Sequence, residues 1–267
     1  MLDLLKRSLA PITAEAWQAI DATASRVIKS QLTARTIVDF DGPHGWQLGA
    51  VNTGRLDIPK KKSDVPWGAR QMLPLVETRM PFLLNQMEID GATRGCEDVD
   101  LSTLEQAAKQ VARFEESAIY LGFADGGLGG IIPSTAHKPI TLPPQVRQYP
   151  EAVGAALEVL GRAGIGGPYA LVLGSKAYYP LMQCVENGYP PRRIVRDLLQ
   201  GDILWSPVLD GGVLLSTRGG DFQLTVGVDF AIGYAGHTRE QVELYLTESF
   251  AFRVLEPAAA VTLKLPA

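Results

Sequence analysis

The 267-residue chain has only two cysteines and three histidines. Cys96 and Cys184 lie far apart, with no second thiol at CxxC spacing, which excludes a disulfide scaffold and a zinc ribbon and leaves two buried or idle thiols. His44, His137 and His237 stand in loop-like contexts, without an HExxH pattern or a carboxylate at metal-ligand spacing. They read as surface residues rather than ligands or bases. Basic charge is also scarce: 25 Lys+Arg against 29 Asp+Glu give a net charge of −4. A chain with a pI near 5.5 lacks the basic stripe that sequence-independent nucleic-acid binding requires. Its one basic cluster, Lys60-Lys61-Lys62, reads as a loop tip. No long apolar run and no secretory leader pattern are present, so neither a membrane span nor secretion is expected and the predicted location is the cytoplasm.

What is there is an ordinary globular composition. With 46% hydrophobic residues and little net charge, the chain is not disordered, and it is long enough for one large domain or two modest ones. Trp17, Ile20, Ala24, Val27, Ile28 and Leu32 mark one face of a helix from Thr13 to about Leu32. Residues 35–40 alternate like a strand and end at the turn Asp41-Gly42-Pro43. Residues 46–71 read as a long hairpin or arm, with Pro59 and Pro66, that cannot build a core of its own. Residues 73–90 read as a long edge strand with prolines. A helix opened by Asp100 or Ser102 carries Leu104, Ala107, Ala108, Val111, Phe114 and Ile119 at helical spacing. Further helices are predicted over 150–164, 176–185 and 192–199. Strands follow at 169–173, 203–205, 212–216, 224–226, 243–252 and 259–265. The order is that of an α+β protein. A long arm, an amphipathic first helix and an apolar last strand point to contacts with other copies of the chain.

Catalytic patterns are sparse. Leu173-Gly174-Ser175-Lys176 lacks the second glycine of a nucleophile elbow, and Ser175 suits a helix cap better. Gly161–Pro168 precedes a strand, whereas a dinucleotide fingerprint must follow one. Gly126–Gly130 lacks the Lys-Ser/Thr of a phosphate loop, and Arg218–Phe222 reads as a turn between strands. Glu115 and Glu116 are adjacent on a helix and so diverge, the wrong geometry for an acid and base on one bond.

Collinear segments decide more. Leu5–Ile12 with Trp17 and Ile20-Asp21, Arg35 with Val38-Asp39, Gly42–Trp46, and Pro74-Leu75 with Arg79 and Phe82 resemble the encapsulin shell proteins. So do Asp100-Leu101 with Glu115 and Glu116, Gly166–Tyr169, Arg218–Phe222, Asp229 with Ile232-Gly233-Tyr234, and Thr247–Phe252. The resemblance spans residues 4 to 265. It implies the α+β fold of tailed-phage major capsid proteins and a closed icosahedral homo-oligomer that encloses a cargo enzyme and has no activity of its own. Its parts would be an N-terminal helix with the start of the peripheral domain (1–47) and an extended loop (48–72). A peripheral domain with a spine helix (73–133), an axial domain (134–224) and a return to the peripheral domain (225–267) would follow.

The same resemblance assigns sites. Ile28, Leu32, Arg35, Asp39, Asp229, Phe230 and Ile232 match a groove that takes a Gly/Leu-rich C-terminal peptide of the cargo. Leucines would enter apolar pockets, with Arg35 and Asp39 fixing the peptide backbone or ends. Cys184, Glu186, Asn187, Gly188 and Tyr189 match a five-fold pore loop. Expected cargos are a dye-decolourising peroxidase or a ferritin-like iron-oxidising protein, which ties the shell to oxidative stress or iron storage. No metal, nucleic-acid or membrane partner is expected. Some family members stack a flavin on a tryptophan where this chain has Met87, so no cofactor is expected although Arg79 is kept. A DNA-packaging prophage capsid and a bacteriocin- or protease-like hydrolase remain as alternatives.

Overall fold

The computed structural model describes residues 4–58, 64–185 and 190–266. Helix α1 (Ala14–Gln31) buries Ala16, Ile20, Ala24, Val27 and Ile28 on one face, and the Thr13 hydroxyl accepts from the Ala16 N–H at 3.3 Å to cap it. The strand expected over 35–40 forms only in part. A 3-10 turn covers Ala34–Thr36, and strand β1 is confined to Asp39–Asp41. The cause is Arg35, whose side chain turns into the interior.

Strands β2 (Ala50–Asp57) and β3 (Ala69–Pro74) pair antiparallel as an arm that exposes Leu56, Trp67 and Met72. The Lys60–Lys62 cluster lies outside the described residues. Strand β4 (Val76–Asn85) stops short of the 73–90 span. The Asn85 side chain accepts from the Met87 N–H at 2.8 Å and opens helix α2 (Gln86–Thr93), which places Met87 on a helix.

Helix α3 (Ser102–Tyr120) follows, with the Asp100 carboxylate accepting from the Ser102 N–H at 2.9 Å. Next come α4 (Ile131–Ser134), β5 (Ile140–Thr141), α5 (Tyr149–Arg162), β6 (Tyr169–Leu173), α6 (Ser175–Gln183), α7 (Pro191–Leu199), β7 (Ile203–Trp205) and β8 (Gly212–Ser216). Strands β9 (Phe222–Val226), β10 (Ala231–His237), β11 (Gln241–Val254) and β12 (Ala260–Lys264) complete the chain. Ser175 is the first residue of α6 and makes no cap. Its hydroxyl accepts from the Trp205 indole at 3.0 Å.

The first sheet has the order β1-β9-β11-β10, with β4 paired to β11. The second runs β5-β12-β8-β6-β7. β12 therefore departs from the expected return of 225–267 to the first unit. It is an inner strand of the second sheet with Val261 and Leu263 buried, so its apolar character serves its own subunit rather than a neighbour.

Two hydrophobic cores result. One joins α1, β4, β10 and the first half of α3, and the other gathers the second sheet with α5, α6, α7 and β9. Helix α3 and strand β11 belong to both. Leu104 to Ala112 serve the first core and Ala118 to Tyr120 the second, while Val242 to Leu246 and then Phe250 and Phe252 divide in the same way. Between these halves both elements bury polar residues: Glu115 and Glu116 on α3, and Thr247, Glu248 and Ser249 on β11.

The glycine loop after α3 is a close backbone approach. A Cβ on Gly130, at φ +70, would lie 2.2 Å from the Gly122 amide nitrogen, whereas one on Gly154 in α5 would meet nothing within 4 Å. Thermal unfolding should show Gly130→Ala losing several degrees, from strain of about 1–3 kcal/mol. Gly154→Ala should match or exceed the parent, and equal losses in the two variants would contradict this packing.

Candidate functional site

Glu115, Glu116 and Glu248 are fully buried, and buried carboxylates stay charged only with partners. Arg35 supplies them for two of the three. Its Nε donates to Glu115 at 2.9 Å, Nη2 to Glu115 at 2.6 Å and to Glu248, and Nη1 to Asp229 at 2.8 Å. Burial alone would lower the Arg35 pKa. Glu115, through its hydrogen bond and charge, outweighs this together with Glu248 and Asp229, and holds the guanidinium above its ordinary value.

Burial, reinforced by the Glu115 charge, pushes the Glu248 carboxyl well above the usual range. Glu248 Oε2 has no hydrogen-bond partner among the described residues. Glu116 points elsewhere. It accepts the N–H groups of Thr33 and Ala34 at 3.0 and 3.1 Å, the Ser206 hydroxyl at 3.1 Å and the Thr33 hydroxyl, while burial raises its pKa against these bonds. The two glutamates diverge as the sequence indicates. Each one anchors the chain just after α1.

Above this cluster lies a groove of about 710 Å³ between α1 and β10. Six of the seven expected groove residues line it: Ile28, Leu32, Arg35, Asp229, Phe230 and Ile232. Asp39 does not. It is exposed on β1 and accepts the Gly220 N–H at 2.6 Å, because parallel pairing of β1 with β9 carries it to the turn before β9. Arg35, expected to fix a peptide, is instead occupied by its three carboxylates, with the Phe230 ring 4.8 Å from its guanidinium carbon. At one end Arg7 pairs with Asp21 at 2.7 Å and lies over Trp17 at 3.9 Å.

Of the pore-loop residues, Cys184 is half-buried just past α6, and Glu186, Asn187, Gly188 and Tyr189 lie outside the described residues. Cys96 is exposed rather than buried and donates to Asp98 at 3.0 Å. His44 bonds Asp41, His137 the Ala258 carbonyl and His237 the Tyr234 hydroxyl. Among the described residues no cluster of His, Cys, Asp and Glu is arranged to hold a metal ion, and no helix is long and apolar enough to cross a membrane.

Residues 2–251 match the Linocin_M18 family model, described as an encapsulating protein for peroxidase. The chain belongs to the encapsulin family of shell proteins. It is 42% identical to the type 1 encapsulin shell protein of Rhodospirillum rubrum, over 97% of this chain and 96% of that one. It is 39% identical to the counterpart of Brevibacterium linens, over 98% and 99%. In fold it is similar to a virus-like particle from Pyrococcus furiosus, with a TM-score of 0.65 at 17% identity over 92% of this chain and 98% of that one. The capsid of Myoviridae phage XM1 has a TM-score of 0.57 at 12% identity, over 86% and 90%. The fold is that of phage major capsid proteins, and this encapsulin forms a capsid-like nanocompartment.

Sequence reading missed Glu248 and Asp229 as partners of Arg35, since nothing local marks acids 213 and 194 residues away. The only signal was the presence of Glu115, Asp229 and Glu248 within the segments that carry the family resemblance. Because burial raises the Glu248 pKa in the folded chain above its ordinary value of 4.5, the stability this group contributes is full at low pH and is lost as pH rises from that value toward the raised one. The Tm of Glu248→Gln relative to the parent encapsulin should therefore rise as the pH is raised above the ordinary carboxyl value of 4.5. A difference that stays constant as the pH is raised would contradict the assignment.

Proposed function

We propose that this encapsulin encloses a cargo enzyme inside a closed icosahedral shell and holds it by a C-terminal peptide seated between α1 and β10. The observation that carries this reading is the convergence of Ile28, Leu32, Phe230 and Ile232, from segments about 200 residues apart in the chain, on one groove. Such a groove, open to solvent and with apolar side chains from both α1 and β10, suits an extended peptide with apolar side chains. The family description names peroxidase as what is encapsulated, and a dye-decolourising peroxidase is the preferred cargo, with a ferritin-like protein as the other class.

The shell contributes confinement and no catalysis. Ser175, the one candidate nucleophile of the sequence, is hydrogen-bonded to Trp205 rather than to a base. A flavin has no place in this reading. Met87, 68% exposed on α2, offers no ring to stack on, and the Arg79 guanidinium lies over Tyr245 at 3.8 Å.

The test is co-expression with a fluorescent protein carrying a Gly/Leu-rich C-terminal tail. Ser25 lines the groove from the exposed side of α1, so Ser25→Trp fills it without touching the core. Particles should still form, with loading reduced about tenfold or more. Undiminished loading of Ser25→Trp particles would refute the groove.

A further inference from the structure

The groove is bounded by a strand edge that the protein covers only in part. β10 ends the path of the first sheet and pairs on one side alone, with β11. In an antiparallel ladder alternate residues direct both backbone groups to the same side. The Tyr234 N–H donates to the Leu5 carbonyl at 2.8 Å, so Tyr234 faces outward from the sheet. Ile232, two residues earlier in the same unbroken register, faces outward with it.

The N-terminal segment that covers Tyr234 is held there by a second contact. Gly233 leaves open the space over which the Tyr245 ring lies, and the Tyr245 hydroxyl reaches the Leu4 carbonyl at 3.1 Å. The segment then departs. Lys6 adopts a left-handed conformation (φ 51, ψ 27), residues Arg7–Leu9 make a 3-10 turn, and Arg7 crosses to Asp21 on α1. Ile232 lines the groove, and its N–H and carbonyl make no backbone hydrogen bond outside the sheet among the described residues. Unpaired edge groups of this kind are a template for one more strand.

We infer that the occupant binds by strand addition: an extended peptide exchanges backbone hydrogen bonds with Ile232 on the open edge of β10. This rests on the reading of the groove as a cargo-peptide site and specifies its chemistry. Side chains of an added strand alternate between the two faces of the sheet. One set enters the apolar space against Ile28 and Leu32, and the other points away from α1 and is free to be glycine. Specificity then comes from alternate apolar side chains, and affinity in good part from main-chain bonds that any sequence can make. Of the charged groups that line the groove, Arg7 with Asp21 and Arg35 with Asp229 are paired with each other, and Lys29 stands exposed on α1.

Single prolines placed in turn along the tail of the fluorescent cargo test this, because proline removes one N–H and is tolerated on a strand only where that N–H faces away from the ladder. Loading into shells of the full chain should fall about tenfold at the one tail position whose N–H meets the Ile232 carbonyl and stay within about twofold at the positions on either side of it. Hydrogen exchange in the peptide covering residues 229–236 should slow in loaded relative to empty shells. Loading that Ser25→Trp abolishes but that tolerates proline at every tail position would overturn strand addition and leave the groove standing. Loading indifferent to Ser25→Trp would overturn the groove, and strand addition with it.

Discussion

One guanidinium joins the two halves of this subunit. Arg35 follows α1, and its partners sit on α3, on β11 and in the loop before β10, so four separate chain segments meet on five N–H donors. The place is the seam between the two cores, where both α3 and β11 exchange apolar for polar residues. A lone buried charge there would cost several kcal/mol, and removal of one partner of such a cluster typically costs about 3–5 kcal/mol. Three carboxyls against one cation leave an excess of negative charge, and this excess together with burial raises the pKa of Glu248.

The seam also fixes the groove. Arg35 holds Asp229, and Asp229 accepts the N–H of Phe230 at 2.8 Å, so the start of β10 is set relative to the end of α1. On the neighbouring face of α3, Glu116 fixes Thr33 and Ala34, which sets the angle at which the chain leaves the helix. The groove is thus placed by a polar network below it, while Ile28, Leu32, Phe230 and Ile232 give it apolar surface. That division leaves the contact surface free to be read by a peptide.

The periodic elements were legible in the sequence. The face of α1, the face of α3 and the buried strand β6 follow from spacing alone, because each buries one stripe or both faces of a regular element. What failed was set by distant contacts. Residues 35–40 alternate like a strand, yet the pull of Glu115, Glu248 and Asp229 on Arg35 makes the first of them a turn. β10 escaped notice because Gly233 and Gly236 interrupt its pattern, one of them to admit the Tyr245 ring. Asp39 was assigned to the groove by its place in the family pattern, and only the parallel pairing of β1 with β9 reveals that it serves the Gly220 turn. The glutamates on α3 were read correctly as a divergent pair. Their burial depended on partners that no local spacing encodes.

The central claim is that Arg35 couples the two cores and the groove above them. Hydrogen–deuterium exchange on assembled particles of the parent and of Arg35→Met addresses it most directly. The account predicts faster exchange at the end of α1, in residues 229–236 and in the middle of both α3 and β11, with partial restoration when Glu115→Gln is added to remove the carboxylate left unpaired. Exchange that changes only around residues 33–36, or not at all, would contradict it.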